Sequence, residues 1–214
     1  MRYGRIAVVI GLIGAILAVE WTWIVSREAS DAAPQGAIGT VPAKPPGGPF
    51  SLVDHEGNPA TSESFRGEYV IMVFGYTFCP DVCSMTLHRV VEALDILGSD
   101  SGVIRPVFVS VDTRRDTPSV LADYVSAIDP RLIGLTGSPE QIADAARQFR
   151  VYYSIPEADE ADYLVDHSAY IYLLGPNGDT LSYFKHDISA ADLAAGIRDA
   201  KARASLADSS TLRP

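Results

Sequence analysis

Cysteine is scarce in this chain: there are two among 214 residues, Cys79 and Cys83. A pair so close in sequence cannot staple a large loop, so a scaffold built on disulfides is excluded. Basic residues are also in short supply, with 17 Lys and Arg against 27 Asp and Glu and a net charge of -10. Phosphate backbones demand a basic face, which excludes nucleic acid as a partner. An acidic partner is disfavoured too, unless a metal ion mediates. No stretch repeats internally. What remains is ordinary for a globular protein, with 47% hydrophobic residues and a length that suits one domain with appendages.

The long apolar run lies near the start. Met1 to Arg5 is short and basic, Ile6 to Val19 is unbroken apolar and glycine sequence, Glu20 interrupts, and Trp21 to Val25 continues. Taken as one element, residues 6–25 match the roughly 20 residues that a bilayer core requires. Trp21 and Trp23 suit the interfacial aromatic belt, and Arg2 and Arg5 keep the N-terminus cytoplasmic. Residues 1–25 are therefore expected to form one transmembrane helix that anchors the chain; the rival reading is a cleaved signal peptide. Residues 26–49 end in PQGAIGTVPAKPPGGP and are expected to be a flexible tether. The globular domain is expected over 50–206, with a frayed tail at 207–214.

Inside that domain, apolar runs and turn residues alternate. Phe50 to Val53, Tyr69 to Gly75, Ile104 to Val111, Leu132 to Leu135, Ala169 to Leu174 and Thr180 to Phe184 have strand character. Helical patterns run from Pro80 to Leu97, from Thr117-Pro118 to about Ile128, from Ser138-Pro139-Glu140 through Phe149, and from Ala190 to about Leu206. Ser189 with Asp192 resembles a capping box, and Pro176-Asn177-Gly178 signals a hairpin. Strands alternating with helices imply an α/β domain, its central mixed sheet covered by helices. A strand extends it N-terminally, and a β-hairpin plus helix closes it C-terminally. A strand that feeds a cysteine motif at the start of a helix is the thioredoxin-like arrangement.

The cysteines stand where that strand gives way to that helix, in Phe78-Cys79-Pro80-Asp81-Val82-Cys83. With Pro80 in the first turn, Cys79 falls near the cap and Cys83 one turn further in, so the two face the same way. The helix N-terminus favours thiolates. The pair suits a soft metal, a disulfide, or both. Of the four histidines, His167 alone follows Val-Asp and runs directly into a strand, one whose start lies beside the cysteine helix. Two thiolates and an imidazole make a three-ligand set, and soft thiolates select Cu(I). Structural zinc normally takes four protein ligands, and no third cysteine exists. Taken alone, His167 is equally an ordinary half-buried histidine. Asp166 is a candidate to orient its imidazole, or a solvated turn acid, and Asp81 is a candidate to support Cys79. Asp112 and Asp116 either line the site or form a turn and cap; Arg114 and Arg115 are expected to be solvated. Tyr76 and Phe78 are expected to shield the site, and His88 to lie on the surface.

FGYTFCPDVC, SVDTRRDTP and YLVDHSAYIYLLGPNG, in that order and at these separations, resemble the Sco/SenC family of copper-binding assembly factors. The resemblance covers about Pro49 to Lys201. It implies a membrane-anchored thioredoxin fold that helps to metallate the binuclear copper centre of cytochrome c oxidase subunit II, with some members reducing that subunit's cysteines. Carried onto this sequence, the copper ligands are Cys79, Cys83 and His167, for Cu(I) or Cu(II). The partners implied are subunit II, an upstream periplasmic copper donor, and the membrane. The activity implied is that of a copper chaperone, or alternatively of a thiol-disulfide reductase with Cys79 and Cys83 as its redox pair. The short basic N-terminus without an Arg-rich transit segment favours a bacterial inner membrane with the domain on the periplasmic side. The alternative is the mitochondrial inner membrane, facing the intermembrane space.

Overall fold

The computed structural model describes residues 45–157 and 162–211. The expected anchor, the tether through residue 44, residues 158–161 of the acidic loop and the last three residues lie outside that range. Among the described residues no helix is long and apolar enough to cross a membrane.

Among the described residues, nine strands and four α-helices follow one another: β1 Ser51–Asp54, β2 Pro59–Thr61, β3 Tyr69–Gly75, α1 Val82–Leu97, β4 Ile104–Ser110, α2 Pro118–Ile128, β5 Ile133–Thr136, α3 Pro139–Phe149, β6 Tyr153–Ser154, β7 Asp166–His167, β8 Tyr170–Leu174, β9 Thr180–Lys185 and α4 Ala190–Thr211. Seven strands form one sheet in the order β2-β1-β5-β4-β3-β8-β9. β3, β4 and β5 run parallel, while β8 and β1 pair antiparallel to β3 and β5. This is the mixed α/β sheet that the sequence implies. It also contains β2, a short edge strand that the sequence pattern did not signal, paired with β1.

Register shows how the sheet is covered. Phe74 stands opposite Val109, and Val73 opposite Phe108, so Phe74 and Phe108 point to opposite faces. Phe74 packs on Phe149 of α3 at 5.3 Å between ring centroids, and Phe108 on Tyr124 of α2 at 5.3 Å. α1 lies beside α2 and α4, so three helices cover one face and α3 the other. Covered on both sides, Val70 to Phe74 is fully buried. This explains why its sequence is continuously apolar rather than alternating.

Helix starts follow from local chemistry. Thr117 accepts the N–H of Val120 ahead of Pro118, and Ser138 accepts that of Gln141, which returns the bond in a capping box. α4 opens on Ser189, which accepts the N–H of Asp192 at 3.1 Å. It runs past the expected end near Leu206 to Thr211, with no proline or glycine between Gly196 and Thr211 to stop it.

Residues 46–47, ahead of Phe50, pack onto the domain. Gly47 N–H donates to the Gln148 carbonyl at 2.7 Å, and the Thr180 hydroxyl donates to the Pro46 carbonyl. Gly47 sits at φ +134°, and a Cβ there would strike Thr180, so only glycine fits. Thr180 pairs with Leu174, and Leu174 with Val70. The strap therefore lies at the N-terminal end of β3, away from the cysteines at its other end.

Candidate metal centre

β3 ends at Gly75, and the chain turns before α1 begins. The Cys79 N–H donates back to the Tyr76 carbonyl at 3.3 Å. α1 starts at Val82 with Asp81 as its N-cap, whose side chain makes no capping bond. The helix thus opens later than Pro80 predicts. The backbone N–H groups of Asp81 and Cys83 at this helix start help to hold the Cys79 thiol below its ordinary value. Cys79 lies two residues ahead of the cap, half-buried, and Cys83 is the second helical residue, buried.

Gly75 makes room for the second sulfur. A Cβ on Gly75 would come within 2.7 Å of Cys83 Sγ and 2.9 Å of the Phe108 ring. Cys83 therefore sits directly on the end of the central strand.

The third member arrives from a separate two-stranded sheet. His167 belongs to β7, which pairs with β6 rather than with the main sheet. Its Nε2 is 3.4 Å from Cys83 Sγ, and its Nδ1 is 3.0 Å from the Ser168 carbonyl. A carbonyl only accepts, so Nδ1 carries hydrogen, and in the neutral ring Nε2 is a lone pair aimed at the sulfur. The ring meets Tyr76 edge-on, 5.7 Å between centroids at 90°. Tyr76 is 3% exposed and closes the floor, as expected of a shielding residue; Phe78 is 52% exposed and covers less.

The ligand atoms of Cys79, Cys83 and His167 all lie within 4.8 Å of one another. The three residues named from the sequence are thus brought together, and they are the group among the described residues positioned to hold a metal ion. Two soft sulfurs and an imidazole fit a soft, low-coordinate ion, and the set is one ligand short of structural zinc.

The two thiols are unlike each other. Cys79 is lowered to about 4, chiefly by the hydrogen bond from the Cys83 thiol; burial opposes this, and the N–H groups of Asp81 and Cys83 assist. Cys83 is pushed up, first because it supplies that hydrogen bond and second because it is buried. The metal-free site therefore holds a thiolate at Cys79 and a proton on Cys83.

The supporting candidates fall differently from expectation. Asp166 is exposed, and the partner of the His167 ring is the Ser168 carbonyl. Asp81 is exposed as well and serves Cys79 through its backbone N–H, not its carboxylate. His88 lies on the surface as expected, with Nδ1 2.8 Å from the Ser84 carbonyl.

Asp112 and Asp116 are both buried. Asp116 accepts the Thr77 N–H at 2.8 Å, the Thr77 hydroxyl at 2.6 Å and the Ser110 hydroxyl, which fixes the turn that leads to Cys79. Asp112 accepts the Tyr163 hydroxyl at 2.6 Å and Arg115 Nε at 2.6 Å. Arg115 is not solvated as expected. Its guanidinium lies 3.6 Å from the Tyr163 ring centroid and 4.7 Å from that of Phe78. Tyr163 gave no signal in the sequence, because a tyrosine closing an acidic loop has no spacing that marks it.

The fold and the site together define an α/β domain of thioredoxin-like build that carries a dithiol-imidazole metal centre. The SCO1/SenC family model matches residues 39–202, and the chain belongs to that family. It is 40% identical over 190 residues to the mouse protein SCO2 homolog, mitochondrial, covering 83% of this chain and 72% of that one. The crystal structure of Arabidopsis thaliana ScoI with copper bound superposes with a TM-score of 0.70 at 40% identity, covering 74% of this chain and 99% of that one. BsSco, a member of the Sco family of cytochrome c oxidase assembly proteins in which a disulfide switch was identified, gives a TM-score of 0.59 at 25% identity, covering 76% and 96%.

Proposed function

We propose that this protein is a copper chaperone, with one copper ion as cargo held by Cys79, Cys83 and His167. The observation that carries the reading is the convergence of those three ligand atoms within 4.8 Å, in a family with a copper-bound member. The recipient is a copper-free cytochrome c oxidase subunit II, at its binuclear copper centre; BsSco belongs to a family of oxidase assembly proteins. Cys79 is half-buried at the rim, so a partner thiolate has a way in, and the domain's ligands are replaced one at a time. Loading requires both cysteines reduced, so redox state gates it. An upstream donor in the same compartment supplies the ion. The apolar run Ile6 to Val25 supports a membrane anchor, with the domain on the periplasmic side of a bacterial inner membrane. The name of the mouse relative supports the corresponding place in mitochondria.

The test is copper stoichiometry and spectrum on the reduced, full-length chain without oxygen, beside Cys79→Ser, Cys83→Ser and His167→Ala. The expected result is one equivalent, lost or greatly weakened in all three variants. Failure to retain copper, or an affinity indifferent to His167, would overturn it.

The unequal thiols favour a second reading, a thiol-disulfide reductase. The Cys79 thiolate attacks a partner disulfide, forming a mixed disulfide and releasing one partner thiol. Cys83 then gives up its proton and attacks Cys79 Sγ. A Cys79–Cys83 disulfide forms, the second partner thiol leaves, and two electrons have passed to the partner. A thiol reductant restores the pair. This reading predicts turnover that survives His167→Ala.

A further inference from the structure

The two halves of the metal centre come from distant parts of the chain, and one loop touches both. On the cysteine side, the Arg115 guanidinium covers Phe78 at 4.7 Å from its ring centroid, directly before Cys79. On the histidine side, Asp112 takes the Tyr163 hydroxyl at 2.6 Å, four residues before His167. Arg114 donates to the Pro156 carbonyl at 3.2 Å, where the acidic loop begins. The Tyr163 ring lies between its own bond to Asp112 and the Arg115 guanidinium, 3.6 Å from the centroid. The same guanidinium returns to Asp112 through Nε at 2.6 Å. Each contact is short and, on the Asp112 side, fully buried, where an unmade bond is costly.

The strand that carries His167 is short, and the next residue, Ser168, is bonded to Tyr152 through its N–H at 2.8 Å and its Oγ at 3.1 Å. β7 is two residues long and pairs with a two-residue β6. The His167 ring is tied to the Ser168 carbonyl, a bond that sets tautomer but travels with the segment. Segment 163–167 gains its fixed reference on the side before His167 from Tyr163 on Asp112, with Val165 buried in the core between Tyr163 and His167. The Tyr163 phenol titrates above its ordinary value, first from burial and second from its bond to Asp112, so it stays a donor throughout the physiological range.

We infer that Tyr163 is a positioning residue for the metal centre: its hydrogen bond to Asp112, under the Arg115 guanidinium, holds the segment that presents His167 Nε2 to Cys83. The inference rests on the copper reading above for its consequence, but not for its geometry.

The test uses Tyr163→Phe in the reduced full-length chain, which keeps the ring under Arg115 and removes only the hydroxyl. The first readout needs no metal. The His167 imidazole signals in nitrogen-edited NMR shift or broaden toward those of the exposed His88. The second is Cu(I) affinity by competition with a chelator, run as a double-mutant cycle with His167→Ala. Tyr163→Phe weakens the wild-type site about tenfold, as outer partners of metal ligands do, and changes the His167→Ala protein by less than about twofold. Unmoved imidazole signals, or an equal loss in both backgrounds, would overturn the inference. The latter would mean that Tyr163 supports the fold or the dithiol rather than His167. If Tyr163→Phe does not fold, Arg115→Lys takes its place, keeping charge beside Asp112 while losing the flat cover on the ring, with the same outcomes. A wild-type chain that takes up no copper would sink the copper reading, and the imidazole signals would still decide this one.

Discussion

At the scale of single residues, the centre is defined by an inequality between two chemically identical side chains. Cys79 is exposed enough to be reached and holds its charge down to about pH 4, whereas Cys83 is buried and keeps its proton. Iodoacetamide at pH 6 should therefore label Cys79 and spare Cys83, which peptide mapping by mass spectrometry reads directly. Labelling should fail below about pH 4, as Cys79 takes up its proton. The same inequality gives metal binding a pH dependence. Both sulfurs must be deprotonated to bind, and the apo site retains one proton, on Cys83. Copper uptake releases it, so apparent affinity should tighten about tenfold per pH unit as pH rises through the neutral range. A flat profile between pH 6 and 8 would contradict the assignment of that proton. Gly75 makes a separate demand. Gly75→Ala inserts a methyl group against Cys83 Sγ and Phe108. It should cost about 1–3 kcal/mol of stability, as overpacked sites do, and weaken copper binding more than Gly67→Ala at a remote turn.

At the scale of elements, the site stands on a strand, a helix start, and a loop that braces them. The strand and the helix were legible: VIMVF can only be a doubly covered strand, and the four-residue cysteine step puts both sulfurs at the start of α1. The register of that start was not. Proline at position 80 reads as a first-turn residue, but the helix begins at Val82 with Asp81 at its cap, and Cys79 stays ahead of it in the turn that returns its N–H to the Tyr76 carbonyl. The brace was invisible as well. Arg115 looks solvated in a charged run such as DTRRD, and only the fold shows that Tyr163 and Phe78 cover it while Asp116 takes up the turn at Thr77. Asp116→Ala should leave the Thr77 amide and two hydroxyls without their acceptor, at about 1–3 kcal/mol for each group that stays buried. Chemical denaturation should show the loss, and labelling of Cys83 at pH 6 should rise as the turn loosens.

For the whole molecule, the charge pattern and the sheet class were readable from the residues, whereas His167 joined the two cysteines only through the family resemblance. The strand order and the packing of Pro46 to Gly48 were not readable, because both depend on contacts between segments far apart in sequence. A ligand that binds only the folded state stabilises it by mass action. At free copper one hundred times the dissociation constant this amounts to about 2.7 kcal/mol, or roughly 5–10 °C in melting temperature for a domain of this size. Calorimetry of the reduced chain with and without copper should show that shift, and Cys79→Ser should abolish it.

The strap at Pro46 to Gly48 has a mechanical consequence. The polypeptide enters the domain level with Val70, and the cysteines follow Gly75, roughly 17 Å of strand further along. A pull arriving along the chain from its N-terminal side meets the bonds at Gln148 and Thr180 first. They hand the load to α3 and β9 and through them to the whole sheet. The strap and the cysteines stand at opposite ends of β3, so tension on one leaves the other slack.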